Sequence, residues 1–533
     1  MTTSDLAHSR NRLPGGPDGR LARWSEAVAR SGTRRLVAIT AVVAMLMRFP
    51  GLLWPLRPDE AGFTLVARHW HPEPDSLYGL YFVDRPPSLI ALVRLSDAIG
   101  GPLFIRVIGA LAAALLVLVA ARTAYLVGGD RAARWTAVGT AAVAGNTMID
   151  AVAAKGEILG IPLVVASFWL ALEALRVLPG SRRAAVLLAF AAGLTGTAAV
   201  GLKQNMVTGL VFGGVLLLGS ALRREVSWPG FARLSAAALA GAAVPVAATV
   251  AWCLAAGVHL HTLWYAVYGF RSDALEVIKT GSAAAPFGRL LLLAVIFVAT
   301  GMLAVLVLFL RHLPGLWRSE PVLTVATLAV LAVDGAGVVL GGSYWRTYLL
   351  GLVPAVVLSL ALLVGLPDRR GVWMRRVIGV AVASCLLSLV GWVVNNQFAV
   401  EPPTETYTGQ AIGAASEPGD TIVVFGGRSD IVIASGLESP YAYLWSLPMR
   451  TLDPGLDRLV ALLDGPHRPT WFVESIPFES WTGTGNPALR DVLDRHYEPH
   501  GDGCGHRIYL RNDVSRPVPE PDCGASWLWS MAQ

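Results

Sequence analysis

Two short stretches carry the residue types that proton transfer and phosphate recognition need. Asp59 and Glu60 stand together in "PDEAGF" (58–63), and Arg85 follows Asp84 in "DRPP" (84–87). A positioned carboxylate can take a proton from a hydroxyl. A guanidinium forks onto phosphate oxygens, and two following prolines stiffen the backbone that aims it. A plainer reading stands beside each. Acids in a first helical turn after Pro58 suit the helix macrodipole, and Phe63, Val66, Ala67 and Trp70 on one face suit an interfacial helix. Arg85 could instead snorkel to lipid headgroups.

Further polar residues stand at the ends of apolar runs: Arg106, then Asp150, Lys155 and Glu157, then Lys203, then Tyr344, Arg346 and Tyr348. Ionisable groups at or within membrane spans are costly and usually line a cavity or pathway. Lysine is scarce, at Lys155, Lys203 and Lys279 only. Two of these three lie among the residues just named, where a compact point charge differs from an arginine fork. Taken singly, each residue fits an interface position or an internal ion pair. Taken together they suggest one outward-facing polar cavity suited to a phosphorylated lipid. "HWHPEPD" offers His69, His71, Glu73 and Asp75, but its spacing is not that of a tetrahedral site and interface loops often contain histidine, so no metal is expected.

The elements that must hold these residues are membrane helices. The chain of 533 residues is 54% hydrophobic and 15% charged, against about 25% charged in soluble proteins. Apolar runs near 36–54, 102–125, 133–150, 158–178, 184–201, 206–222, 234–256, 287–311, 321–340, 346–365 and 374–395 are each long enough to cross a bilayer. Only helices satisfy their own backbone there, which gives a polytopic α-helical membrane protein of about eleven spans. The net charge of +6 is no nucleic-acid footprint, because the basic residues fall in loops. Arg122, Arg131, Arg134, Arg176, Arg182, Arg183, Arg223, Arg224, Arg311, Arg318, Arg369, Arg370, Arg375 and Arg376 all fall on one face. The positive-inside rule makes that face cytoplasmic, which places the protein in the plasma membrane with a cytoplasmic N-terminus and an extracytoplasmic C-terminus.

Three domains follow: residues 1–34 as a disordered cytoplasmic tail, 35–398 as the membrane domain with a first outer loop at 55–101, and 399–533 as an extracytoplasmic α/β domain. In the last, "TIVVFG" (421–426), "TWFVES" (470–475) and "HRIYLR" (506–511) read as strands, and "LDRLVALLDG" (456–465) and "PALRDVLDRHY" (487–497) as amphipathic helices. "VVFGGRSD" lacks the full glycine spacing of a nucleotide-binding turn. Cys504 and Cys523 share this oxidising location and are expected to form a disulfide, whereas Cys253 and Cys385 lie in apolar runs as small core residues.

The order of these pieces resembles the GT-C glycosyltransferases, in particular the protein O-mannosyltransferase and aminoarabinose-transferase branch. The resemblance runs over most of 36–365, through "PDEAGF", "DRPPSLIAL", "GGPLFIRVIGALAAALLVLVAARTAYLVGGDRAARWTAVGTAAVAGN", "AAGLTGTAAVGLKQN" and "YWRTYLLGLVPAVVL". It implies an enzyme that moves one sugar from a polyprenyl-phosphate carrier to a hydroxyl on the outer face, with inversion at the anomeric carbon. It implies Asp59 as base with Glu60 beside it, Arg85 on the carrier phosphate, and Arg106, Lys203 and Arg346 as further cations facing that phosphate. Branch members often have lysine where Arg85 stands. The resemblance implies no cofactor and no catalytic metal, and it leaves the acceptor open among protein, glycan and glycolipid hydroxyls. Two other classes share part of the pattern. A lipid-linked-sugar transporter or flippase would show inverted repeats and interrupted helices, and none is clear here. A non-catalytic carbohydrate-binding protein, using "ASWLWS" (525–530) as its contact, would not need Asp59 and Arg85 together.

Overall fold

The computed structural model describes residues 18–280, 284–397, 402–482 and 485–524. Among these, eight helices are long and apolar enough to cross a membrane: Gly32–Leu53, Phe104–Ala144, Gly156–Val177, Arg182–Leu202, Trp228–Ala255, Pro321–Leu340, Arg346–Leu363 and Arg369–Asn396. A ninth is a pair, Pro286–Ala299 and Met302–Arg311, bent by 70°. Helix Phe104–Ala144 has 41 residues, about 60 Å at 1.5 Å per residue and so about twice a hydrocarbon core. It is broken at Gly128 and Gly129, the latter at φ 70°, where a side chain would be strained. Its halves match two of the runs read from the sequence, and the shorter apolar helix Thr208–Leu222 matches another.

The chain divides into two compact units, the first comprising Met1–Phe49, Ile108–Ala248 and Ala283–Leu389, the second Pro50–Val107, Thr249–Ser282 and Val390–Gln533. The second unit groups the first loop with the C-terminal α/β domain, through contacts such as Tyr81 to Ser439. Half of the expected tail, residues 1–17, lies outside the described residues, and from Asp18 the chain is helical through Leu46. The start of this helix, with Arg20, Ala22, Arg23, Ala27, Ala29 and Arg30, is made largely of good helix formers.

In the first unit the helices meet through small residues. Ala41, Ala44, Val117, Ala121, Ala137 and Ala141 form one buried cluster. A Cβ at Gly193 would lie 1.9 Å from the Ala238 carbonyl oxygen, so only glycine permits that crossing. In lipid no hydrophobic force drives helices together, and close backbone approach supplies van der Waals contact instead.

In the second unit a four-stranded sheet has the order β1 (Ile422–Phe425), β2 (Trp471–Glu474), β4 (His506–Arg511), β3 (Tyr497–Gly503). β1 and β2 run parallel, the other pairs antiparallel. β1 and β2 are buried along their whole length, which is why both read as continuous apolar runs. Helices Asp457–Asp464 and Pro487–His496 cover the sheet through Leu459, Leu463, Leu489, Val492 and Leu493, packed with Phe425 and Phe472. The sequence reading missed β3, "YEPHGDG". It is an edge strand, largely exposed, where Pro499 and the glycines are tolerated. Cys504 and Cys523 are joined as expected, with Cα atoms 5.3 Å apart, and Cys253 and Cys385 are buried free thiols.

Candidate active site

Asp59 and Glu60 sit in the first turn of helix Pro58–Arg68, but their surroundings differ sharply. Glu60 is 2% exposed. Its two oxygens take Nε and Nη2 of Arg106 at 2.9 and 2.6 Å, and Oε2 also accepts the Arg57 backbone N–H at 3.1 Å. Arg106 spends its other donors on the carbonyls of Gly51, Trp54 and Pro55. All five N–H groups of a guanidinium are thereby engaged. Arg106, expected on the carrier phosphate, is placed as a buried strut between the loop leaving the first span and the helix carrying the acids. Two-pronged Arg–carboxylate pairing explains its choice over lysine.

Asp59 stays partly exposed. Its Oδ1 accepts the indole N–H of Trp445 at 3.2 Å. That indole lies across the helix because residue 62 is glycine: a Cβ there would be 2.2 Å from the Trp445 ring. Phe63 packs on the same ring with centroids 5.7 Å apart, and Ser429 Oγ donates to the Pro58 carbonyl. The helix N-terminus adds a field that favours the charged carboxylate.

"DRPP" turns at the same helix. The Arg85 guanidinium carbon lies 5.8 Å from the Phe63 ring centroid, and its Nη1 donates to Asp84 Oδ1 at 2.6 Å. Asp84 also pairs with Arg271, from helix Phe270–Thr280. Two guanidiniums therefore share one carboxylate that is 8% exposed. The buried Tyr78 hydroxyl fixes the Arg85 backbone by donating to its carbonyl at 2.5 Å. Burial pushes that phenol well above its ordinary value, so it remains a donor. Tyr81 is pushed up to about 12 by burial and donates to the Ser439 carbonyl at 3.0 Å, tying the loop to the α/β domain.

In the first unit, Lys155 pairs with Asp150 at 3.1 Å and Lys203 with Glu157. Lys203 Nζ also lies 5.7 Å from the Tyr348 ring centroid. Glycine makes this possible: a Cβ at Gly156 would sit 2.6 Å from the Leu202 carbonyl, so helix Gly156–Val177 starts against the end of helix Arg182–Leu202. Tyr344 occupies the left-handed region at φ 51°, and Arg346 is exposed just after it. Both lysines are thus balanced by acids, and Arg346 is the more open cation of this group.

The four residues of "HWHPEPD" do not gather. His71 Nδ1 faces the His69 carbonyl at 3.3 Å, His69 lies 3.9 Å from Glu438, and Glu73 pairs with Ser76 through its backbone. Trp445, Arg271 and Asp334 were missed by the sequence reading. No local pattern signals the first two. Asp334 had a signal, a lone acid inside the apolar run 321–340; its Oδ2 is buried and has no hydrogen-bond partner among the described residues.

No protein-family model and no curated protein sequence matches the chain. Solved structures do. ArnT from Cupriavidus metallidurans bound to undecaprenyl phosphate superimposes with a TM-score of 0.59 at 14% identity, over 91% of this chain and 99% of that one. The apo state of that protein gives 0.54 at 13%, over 89% and 97%. The Archaeoglobus fulgidus oligosaccharyltransferase tethered to an acceptor peptide gives 0.50 at 14%, over 92% and 76%. The fold is the GT-C fold. At these identities the likeness is one of backbone, and the GT-C arrangement accounts for a multi-pass membrane protein with a small C-terminal sheet domain.

Proposed function

We propose that this chain is a membrane glycosyltransferase that moves a single sugar from a polyprenyl-phosphate carrier to a hydroxyl on the outer face, with inversion. The observation that carries the reading is the division of labour in "PDEAGF": Glu60 is consumed by Arg106, while Asp59 is partly exposed at a helix N-terminus. The GT-C fold supports it, since ArnT binds undecaprenyl phosphate and the archaeal enzyme holds an acceptor peptide. In the reaction, the acceptor hydroxyl gives its proton to Asp59 as its oxygen attacks the anomeric carbon from the side opposite the phosphate. The bond from that carbon to the phosphate oxygen breaks, and its electron pair leaves with polyprenyl phosphate. Arg85 and Arg271 answer the negative charge growing on the phosphate, an interaction stronger in the transition state than before it.

The N-terminus is cytoplasmic and the C-terminal domain extracytoplasmic in this reading. The one-sided basic loops and the Cys504–Cys523 disulfide support it. The test uses purified chain with polyprenyl-phosphate sugars and a hydroxyl acceptor. Release of free polyprenyl phosphate that depends on Asp59 is expected. Donor binding with no release by the intact chain would overturn the reading in favour of a transporter or a binding protein.

A further inference from the structure

The sequence places His259 and His261 in "GVHLHTLW", nearly two hundred residues after Asp75. The fold brings them together within the second unit. The Pro74 carbonyl accepts the His259 backbone N–H at 3.0 Å and the Thr262 hydroxyl at 2.9 Å, so the residue after Pro74 is anchored beside the histidines. Asp75 Oδ1 then lies 3.0 Å from His259 Nδ1 and 3.8 Å from His261 Nε2. The two imidazoles stack, with centroids 5.3 Å apart and planes 21° from parallel. One oxygen and two nitrogens thus lie within 4.8 Å of one another, all on exposed side chains.

We infer that Asp75, His259 and His261 form a binding site for a divalent transition-metal ion, zinc first among them. Imidazole with a single carboxylate suits zinc, whereas calcium and magnesium seek sets of oxygen ligands. A tetrahedral ion with bonds of about 2.0–2.1 Å spaces its ligand atoms about 3.3 Å apart. The two distances to Asp75 straddle that value, so side-chain adjustment alone would close the set. Exposure leaves the fourth position to water. The ion would clip the loop after helix Pro58–Arg68 to the segment that follows helix Trp228–Ala255. It stabilises the fold there and takes no step in sugar transfer. The plain alternative is a surface hydrogen bond between a histidine and an aspartate, which predicts no affinity for zinc.

The test uses the full chain, purified in detergent without a polyhistidine tag, titrated with zinc chloride and analysed for bound metal after gel filtration. One zinc per chain is expected, with a rise in unfolding temperature that zinc, but not calcium, produces. Asp75→Ala, His259→Ala and His261→Ala should each weaken binding at least about tenfold, since even outer partners of a metal ligand are worth that much. Their unfolding temperatures without zinc should match the parent, because the side chains are exposed. Cobalt in place of zinc gives a second reading on the parent protein alone, through the visible absorption of imidazole-bound cobalt. Zinc uptake by the parent no greater than by the triple variant, or a cobalt spectrum like that of the aquo ion, would overturn the inference.

Discussion

At the scale of single residues, two neighbouring acids have opposite fates, and mutation should separate them. Asp59→Asn keeps size and an oxygen for the Trp445 indole N–H, so unfolding temperature should hold while polyprenyl-phosphate release falls by the ~10²–10⁴ that a general base typically supplies. Glu60→Ala strands a buried guanidinium, and thermal unfolding should report a loss of about 3–5 kcal/mol. Equal losses of turnover and stability in both variants would mean that Asp59 is structural as well. Arg85→Ala and Arg271→Ala should each reduce donor use about 10- to 100-fold, the effect of losing a charge-assisted contact of about 1.5–3 kcal/mol. Full donor use in both would move the phosphate site away from this pair. The acids and Arg85 were legible because they stand out in an apolar chain within a short distance of one another. Trp445 and Arg271 were not, because their proximity is a product of the fold and not of spacing. For Arg106, type and position mark a cation near the candidate site, but only geometry shows where its donors go.

At the scale of elements, the α/β domain depends on β2. Phe472 is fully buried in the cluster that joins the sheet to its covering helices, and Phe472→Ala should cost about 3–5 kcal/mol in thermal unfolding. Acid should act on the same domain through Asp420. Burial would raise that carboxyl, but hydrogen bonds from Arg516, at 2.8 and 2.9 Å, and from the Glu417 backbone hold it below the ordinary range. Its folded value lies under its unfolded one, so its stabilising contribution is complete above the ordinary aspartate range and is lost as pH falls through the folded value. Unfolding temperatures measured from pH 6 downward should therefore drop less steeply in Asp420→Asn than in the parent. A parallel drop would place the acid sensitivity elsewhere. Three of the four strands and both covering helices were legible from period and composition. The edge strand was not, because it contains proline and glycine and is stabilised only by its partner β4.

At the scale of the whole molecule, the apolar runs were legible in number and place because the bilayer imposes a length on every span. The unit boundaries were less so, because the residues that join loop 55–101 to the C-terminal domain lie hundreds of positions apart. Orientation is open to direct test. Glu73→Cys should react with a membrane-impermeant maleimide in intact cells whose outer barriers admit it, and Arg131→Cys only after lysis. The native cysteines give little background, being buried or disulfide-bonded. The reverse pattern would invert the topology and the site with it.

The hydrogen bond from Trp445 to Asp59 also has a bearing on time. The two residues are 386 positions apart, and Glu60 and Arg106 only 46. At a synthesis rate of about 5–20 residues per second, the strut can close within roughly 2–9 s of its acid being made, whereas the indole follows Asp59 by roughly 20–80 s. Through that interval the helix bearing the acids is already held in place, yet Asp59 waits without its indole. The nascent chain therefore carries a formed scaffold around an unfinished centre, and synthesis must reach the C-terminal domain before the centre is complete.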